Sequence, residues 1–147
     1  MPEREGGTLL GIDYGTRKVG LAVGHALTGA ARPLEPIGHA NDRELFRRLV
    51  NVLGQWRPAR IVVGLPLAGD GSESDMSRKV REFVVQLADQ FPGAPVELHD
   101  ERLTSHAAAD VFAERRQGGR ARRRDASRLD SLAAALILES WMAENES

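Results

Sequence analysis

Residues 8–24 read TLLGIDYGTRKVGLAVG, and this stretch decides the fold. Residues 8–15 are short and apolar apart from Asp13, a composition typical of a buried strand. In residues 18–24, apolar and small side chains alternate with a period of two, which predicts a second strand. Residues 31–37 extend this pair to a three-stranded antiparallel meander, although the two prolines within them are unfavourable in a sheet.

Downstream of the meander, apolar strands alternate with amphipathic helices. A helix begins after Asn41, whose spacing to Glu44 is that of a capping box, and its apolar stripe ends at Trp56. Residues 59–64 and 95–101 are short apolar strands of the kind found in parallel sheets. Helical spacing is also present over residues 80–91, from Ser105 to about Phe112, and from about Ser127 onward. This alternation predicts an α/β fold with a mixed sheet, antiparallel strands first and parallel strands after them.

Length and composition exclude several classes of protein. The chain has 147 residues and no cysteine, so a disulfide framework, a zinc ribbon and a thiol nucleophile are excluded. This length fits one domain of ordinary size, which can bury a hydrophobic core without a metal site or a disulfide. No apolar run approaches the roughly 18 residues of a membrane-spanning helix. The N-terminal residues 1–7 lack the order of a signal peptide, which predicts a cytoplasmic protein.

A net charge of −1 conceals a strongly basic segment. Residues 115–128 contain seven arginines and a single acid, Asp125, and carry a net charge of +6. The remainder of the chain is acidic, which argues against a general DNA-coating protein and favours an acidic site beside a phosphate-binding arm. The candidate nucleic-acid contacts in this arm are Arg120, Arg122, Arg123 and Arg124. No aromatic residue lies among these arginines, so a base-stacking platform for single strands is not indicated.

Two carboxylates follow strands of the predicted sheet. Asp13 lies in an apolar strand, where a carboxylate is costly unless it is paired or binds a metal; the alternative is an Asx-turn at the strand end. Glu101 follows the strand segment 95–100 and, in extended conformation, shares one face with Glu97 and His99. The alternative for Glu101 is an ion pair with Arg102 or a cap on the following turn. Crevices in such sheets form at the carboxyl ends of the parallel strands, so both acids are candidates for a site.

Asp130 is the third candidate acid. Taken alone, it is explained as a structural residue in the first turn of the last helix, with capping-box-like spacing from Ser127. Together, three carboxylates without a His or Cys ligand motif suit hard cations such as Mg²⁺ or Mn²⁺. Two such ions roughly 4 Å apart activate a water and stabilise the leaving oxygen of a phosphodiester.

Two further features can be either functional or structural. They are the loop GLPLAGDGS over residues 64–72 and Arg102. Ser72 and nearby backbone amides can contact a phosphate, or a serine of this loop, Ser72 or Ser74, can cap the next helix. The loop lacks the lysine of a P-loop, so nucleotide binding is not indicated. Arg102 can neutralise a scissile phosphate or pair with Asp100 or Glu101.

Four segments, GIDYGTRKVGLAV, IVVGLPLAGDGS, VELHDERLTSHAA and LDSLAAALIL, resemble the YqgF family, also called RuvX, in order and spacing. The resemblance covers residues 9–141, and LHDERLTS is its most specific block. It implies an RNase H-like fold with helices on both faces of the sheet, formed by one nuclease domain over residues 8–142 between tails 1–7 and 143–147. It also implies that Asp13, Glu101 and Asp130 bind the metal ions. Sites of this superfamily often have a fourth acid, for which Asp70 and Asp100 are weak candidates.

The leading hypothesis is therefore a Mg²⁺- or Mn²⁺-dependent endonuclease acting on structured RNA. The resemblance implies processing of the 5′ end of precursor 16S rRNA, with ribosomal precursor particles as partners. We also expect no membrane partner, and a monomer or weak dimer. A Holliday junction resolvase is the alternative enzyme, and symmetric resolution by two cuts predicts a two-fold dimer. A non-catalytic nucleic-acid- or ribosome-binding module is the alternative from another class. An actin- or sugar-kinase-like ATPase is disfavoured because such proteins need two domains of this kind.

Overall fold

The computed structural model describes residues 7–104 and 123–145, with side chains for 7–104 and 131–145. The predicted helix from Ser105 to Phe112, Arg120 and Arg122 lie outside the described residues. The elements are β1 (Thr8–Asp13), β2 (Lys18–His25), β3 (Ala30–Gly38), α1 (Asp42–Trp56), β4 (Arg60–Leu65), α2 (Asp75–Gln90), β5 (Val96–Asp100), a 3₁₀ turn (Glu101–Leu103) and α3 (Arg123–Glu144).

One five-stranded sheet organises the described residues, in the order β3-β2-β1-β4-β5. The pairs β1–β2 and β2–β3 are antiparallel, and the pairs β1–β4 and β4–β5 are parallel. The predicted mixed sheet is therefore confirmed. Strand β3 forms despite Pro33 and Pro36, because it lies at the edge of the sheet, where a missing backbone donor is tolerated. Its register against β2 shifts between Val19 and Leu21 of β2.

Helices cover both faces of the sheet, as predicted. On one face, α1 and α2 bury a large apolar cluster against the strands, which includes Leu10, Ile12, Leu45, Leu49, Val63, Val80 and Phe83. On the other face, α3 packs on Leu9 and Val62 through Ile137 and Leu138. The approach of α3 is close, because a Cβ built on Gly11 would lie 2.8 Å from the Ala134 carbonyl oxygen. Larger residues at such positions would hold the helix away from the sheet.

The start of α3 differs from the sequence-based prediction. The helix begins at Arg123, four residues before the predicted start at Ser127, so that prediction was wrong. Arginine and alanine are good helix formers, and they extend the helix upstream where only a cap was expected. Along β1 and β2, Ser131 contacts Leu21, and the methyl group of Met142 approaches Gly24 near the opposite end. The part of α3 around Ser131 therefore lies near the carboxyl end of β1.

Side-chain caps fix the starts of the other two helices. The Asn41 side chain accepts a 2.9 Å hydrogen bond from the Glu44 amide, as the capping-box spacing predicts. The reciprocal bond is displaced by one residue, because Glu44 Oε1 accepts from the amide of Ala40 at 2.8 Å. Helix α2 starts at a capping box formed by Ser74 and Ser77. Across the parts of the chain that the structure describes, no helix has the length and apolar character needed to cross a membrane.

Candidate active site

Asp13 is the last residue of β1 and lies on the face of the sheet that α3 covers. Leu10 and Ile12 point into the cluster beneath α1 and α2, so the alternation of side chains along the strand places Asp13 on the opposite face. Its side chain is buried, with only 6% of the residue exposed. Gly20 is its partner in the antiparallel ladder with β2. Because Gly20 has no side chain, β2 places no side chain directly opposite the Asp13 carboxylate.

Glu101 lies in the 3₁₀ turn that follows β5, and it is also buried, at 8% exposure. The Thr104 amide and hydroxyl both donate to the Glu101 carbonyl oxygen, at 3.1 and 2.6 Å. This turn directs the side chain over β4: a Cβ built on Gly64 would lie 3.0 Å from Glu101 Oε2 and would collide with Ile137 of α3. The glycine at this position therefore makes the space that the Glu101 carboxylate occupies.

The strand register brings Asp13 and Glu101 to the same place. In the parallel pair β1–β4, Ile12 is the partner of Val63, so Asp13 lies beside Gly64 on the neighbouring strand. Paired strands are about 4.8 Å apart, and the Glu101 carboxylate lies over that same glycine. The two acids thus converge on the α3 face at the carboxyl ends of the parallel strands, where the sequence predicted a crevice.

Asp130 precedes Ser131 on α3, and its side chain lies outside the described residues. The backbone places this part of α3 at the same end of the sheet, because Ser131 Oγ accepts a 3.3 Å hydrogen bond from the amide of Leu21. Leu21 is the ladder partner of Ile12, one residue before Asp13. Within residues 7–104 and 131–145, no group of three or more His, Cys, Asp or Glu side chains forms a metal-binding cluster. The convergence of the third acid therefore stays a prediction.

Asp13 and Glu101 fit a hard divalent cation on two observations. Both are carboxylates, the oxygen ligands that Mg²⁺ and Mn²⁺ prefer. Both are buried on one face of the sheet beside Gly64, where a side chain would collide with Ile137 and approach Glu101. Two like charges held together in a buried place repel each other unless a cation or a proton compensates them.

Arg102 is held by Asp100. Arg102 Nε donates to both Asp100 carboxylate oxygens at 3.1 Å, and Nη2 donates to Asp100 Oδ2 at 2.7 Å. These bonds hold the pKa of Asp100 below its ordinary value and raise the pKa of Arg102. Of the two partners that the sequence left open for Arg102, the structure shows the ion pair with Asp100. Contact between Arg102 and a phosphate stays a prediction.

The loop between β4 and α2 closes on itself and on Arg102. Ser72 donates from its amide and its hydroxyl to Asp70 Oδ1, at 2.9 and 2.6 Å, and these bonds lower the pKa of Asp70. Ser74, rather than Ser72, caps α2. Gly71 has a φ of 89°, which favours glycine, and a Cβ there would lie 3.1 Å from Arg102 Nη1. The loop thus packs against the Arg102 guanidinium.

Two buried contacts that the sequence did not reveal hold α3 against the site. One is the Ser131–Leu21 hydrogen bond. The other joins His99 Nε2 to Ser140 Oγ at 2.8 Å. Burial lowers the pKa of His99, which favours the neutral ring, against the opposing charges of Glu144 and Asp100. The only available sequence signal was the apolar face of the last helix, which shows that the helix packs but not where.

Comparison with known proteins identifies the family. A family model described as "RuvX: Holliday junction resolvase" matches residues 7–144. The chain belongs to the RuvX family. It is similar to a protein of Azotobacter vinelandii named "Putative pre-16S rRNA nuclease", with 46% identity over 136 residues, or 92% of this chain and 93% of that protein. A protein of the same name from Pseudomonas paraeruginosa is 45% identical over 137 residues, covering 93% and 92% of the two chains.

Solved structures share the fold. The structure of Thermus thermophilus RuvC in complex with a Holliday junction has a TM-score of 0.58 at 21% identity, and the match covers 96% of this chain and 98% of that one. The Fowlpox virus resolvase in complex with Holliday junction DNA has a TM-score of 0.57 at 12% identity, covering 95% and 99%. The predictions of the family and of an RNase H-like α/β fold are confirmed.

Proposed function

We propose that this RuvX-family chain is a Mg²⁺- or Mn²⁺-dependent endonuclease that hydrolyses phosphodiesters at the 5′ end of precursor 16S rRNA. The observation that carries this proposal is the convergence of Asp13 and Glu101 beside Gly64 at the carboxyl ends of parallel strands. The family and the names of the curated relatives support a nuclease. The proposal places the nuclease activity in one domain over residues 8–142.

In this proposal, Asp13, Glu101 and Asp130 hold the cations. When bound, two such ions supply the activation of a water and the stabilisation of the leaving oxygen of the phosphodiester. The chain itself orients the carboxylates: the strand register fixes Asp13, and the 3₁₀ turn with its Thr104 contacts fixes Glu101. Burial by α3 limits water around both acids and strengthens their electrostatic interactions.

The proposed nucleic-acid contacts come from the loop and turn near Glu101 and from the basic arm. Arg102 and Ser72 lie on the loop and turn beside Glu101, and Arg123 and Arg124 lie in the first turn of α3. Arg120 and Arg122 complete the basic arm. Such cations neutralise backbone phosphates and give binding that weakens as salt increases. The partners are structured RNA and ribosomal precursor particles.

The test is cleavage of two labelled substrates, a precursor 16S 5′-leader RNA and a four-way DNA junction, each with Mg²⁺, Mn²⁺ or EDTA. We expect metal-dependent cleavage of the RNA by the wild type and loss of at least 100-fold in rate for Asp13→Asn, about 2.7 kcal/mol of transition-state stabilisation. Asp89→Asn, an exposed acid near the end of α2, is the matched control and should cut normally.

Other outcomes of this test separate the alternatives. Paired symmetric cuts in the junction, with uncut RNA, would replace the rRNA nuclease with a resolvase, which the fold likeness to RuvC supports. If neither substrate is cut while the wild type and Asp13→Asn bind both equally, the chain is a binding module. A thermal-unfolding series supplies a readout besides activity, because a cation bound by Asp13 should stabilise the wild type more than Asp13→Asn.

A further inference from the structure

Lys18 is the first residue of β2 and lies on the same face of the sheet as Asp13. Val19 and Leu21 point into the cluster beneath α1 and α2, so Lys18 shares the opposite face with Gly20 and Ala22. Ala22 packs against α3 on that face, which agrees with this assignment. The register shift near this point affects only the pairing with β3, and the ladder between β1 and β2 is continuous from Thr8 to Asp13.

The register also sets how near Lys18 is to the acids. Asp13 pairs with Gly20, and Lys18 is two residues from Gly20 on the same strand and face. Such diagonal neighbours are about 7–8 Å apart. Gly20 has no side chain to separate them. Lys18 is exposed whereas Asp13 is buried, so Lys18 is the more accessible of the two residues to a ligand from solvent.

A positive charge at this place favours the approach of a polyanion, above all when no metal is bound. Asp13 and Glu101 repel the phosphates of a nucleic acid in the same way that they repel each other. Arg102, at the same end of the sheet, has its charge paired with Asp100. Lys18 is exposed and lies on the face that carries both buried carboxylates. Its position is therefore suited to hold the nucleic-acid backbone against them.

The choice of residue type supports a specific role. The chain contains 18 arginines and 2 lysines, so arginine is its usual cation. A lysine ammonium is a compact point charge on a flexible stem, and it contacts a single phosphate oxygen without the planar fork of a guanidinium. The second lysine, Lys79, is exposed on α2, which covers the opposite face of the sheet.

We propose that Lys18 contacts a backbone phosphate of the nucleic acid next to the position held by Asp13 and Glu101. This deepens the proposed nuclease function and rests on it for the identity of the ligand. Lys18 is a binding residue in this proposal, and its removal should weaken RNA and DNA alike, since a phosphate contact carries no sequence information.

The test is a salt titration of binding in EDTA, with the labelled 5′-leader RNA and the four-way junction as probes. Removing one phosphate contact should lower the slope of log affinity against log salt by about 0.7 for single strands and 0.9 for duplex. Relative to 1 M salt, this equals a loss in affinity of about five- to eightfold at 0.1 M for Lys18→Gln. Lys18→Arg should regain most of the slope, and Lys79→Gln should equal the wild type.

Three results would overturn the proposal. They are a wild-type slope for Lys18→Gln, an equal loss for Lys79→Gln, and no binding of either probe by the wild type. If Lys18 is only a structural counter-charge to the buried acids, Lys18→Gln should unfold at a lower temperature and keep the wild-type slope, which also overturns it. Cleavage by the wild type is measured separately with Mg²⁺ and Mn²⁺. A wild type that binds but does not cut refutes the nuclease, while the slopes still decide the role of Lys18.

Discussion

Gly64→Ala is the change that tests the geometry of the site most directly. A Cβ at this position would collide with the end of the Ile137 side chain and lie 3.0 Å from Glu101 Oε2. Ordinary contacts begin near 3.4 Å, so the carboxylate must move by a few tenths of an ångström and the isoleucine by more. Overpacking of this kind costs about 1–3 kcal/mol in the free energy of unfolding.

The effect on cleavage should exceed the effect on stability. A displacement of about 1 Å in a catalytic group can cost roughly 100-fold in rate, so the smaller shift of Glu101 should cost about tenfold. That factor corresponds to about 1.4 kcal/mol of transition-state stabilisation. The assays are urea denaturation for stability, and cleavage of the 5′-leader RNA with Mg²⁺ under conditions where the variant is fully folded.

Gly24→Ala is the matched control for this prediction. A Cβ there would meet Leu138 at 2.9 Å and Met142 at 3.1 Å, so it also overpacks the underside of α3. Gly24 lies near the other end of β2, away from the acids. We expect a similar loss of stability with normal cleavage. If both variants cut equally well, or lose activity equally, the carboxylate of Glu101 does not depend on the space above Gly64, and the reasoning fails.

Two further predictions concern the contacts that hold α3. Ser131→Ala removes the acceptor of the buried Leu21 amide and should lower the free energy of unfolding, measured by urea denaturation, by about 1–3 kcal/mol. Ser140→Ala is measured for comparison. A loss below about 0.3 kcal/mol for Ser131→Ala would show that this hydrogen bond does not stabilise the fold. Burial lowers the pKa of His99 in the folded protein, so below about pH 6.5 the unfolded chain binds more protons than the folded one. The free energy of unfolding therefore falls as the pH decreases from about 6.5 to the lowered pKa of folded His99. The loss is at most about 1.4 kcal/mol per pH unit. His99→Gln should flatten that part of the stability–pH curve, whereas exposed His25→Gln should not, and an unchanged curve for His99→Gln would contradict the prediction.

The order of strands and helices was predictable because it depends on local periodicity. A short apolar run identified β1, alternation with a period of two identified β2, and the helical stripe ending at Trp56 identified α1. The convergence of Asp13 and Glu101 followed from the general rule that crevices form at the carboxyl ends of parallel strands. Local patterns of this kind contain the element type, its buried face and the end at which a side chain emerges.

The packing of α3 was not predictable in the same way. The Ser131–Leu21 bond joins residues 110 positions apart, and no local pattern indicates which serine meets which amide. The role of Gly64 depends on Ile137 above it and Glu101 beside it, which come from two other elements. The start of α3 was placed too late because Ser127 resembles a cap, while the arginines before it continue the helix.

The close contact between α3 and the first strands has a consequence for how the protein is made. The strip of glycines and small apolar residues on β1, β2 and β4 is covered by a helix that is synthesised more than 100 residues after β1. Until residues 131–142 leave the ribosome and dock, Leu9 and Val62 face water, and an exposed apolar strip favours aggregation. A nascent or prematurely terminated chain that lacks this helix would therefore be a substrate for chaperones and proteases.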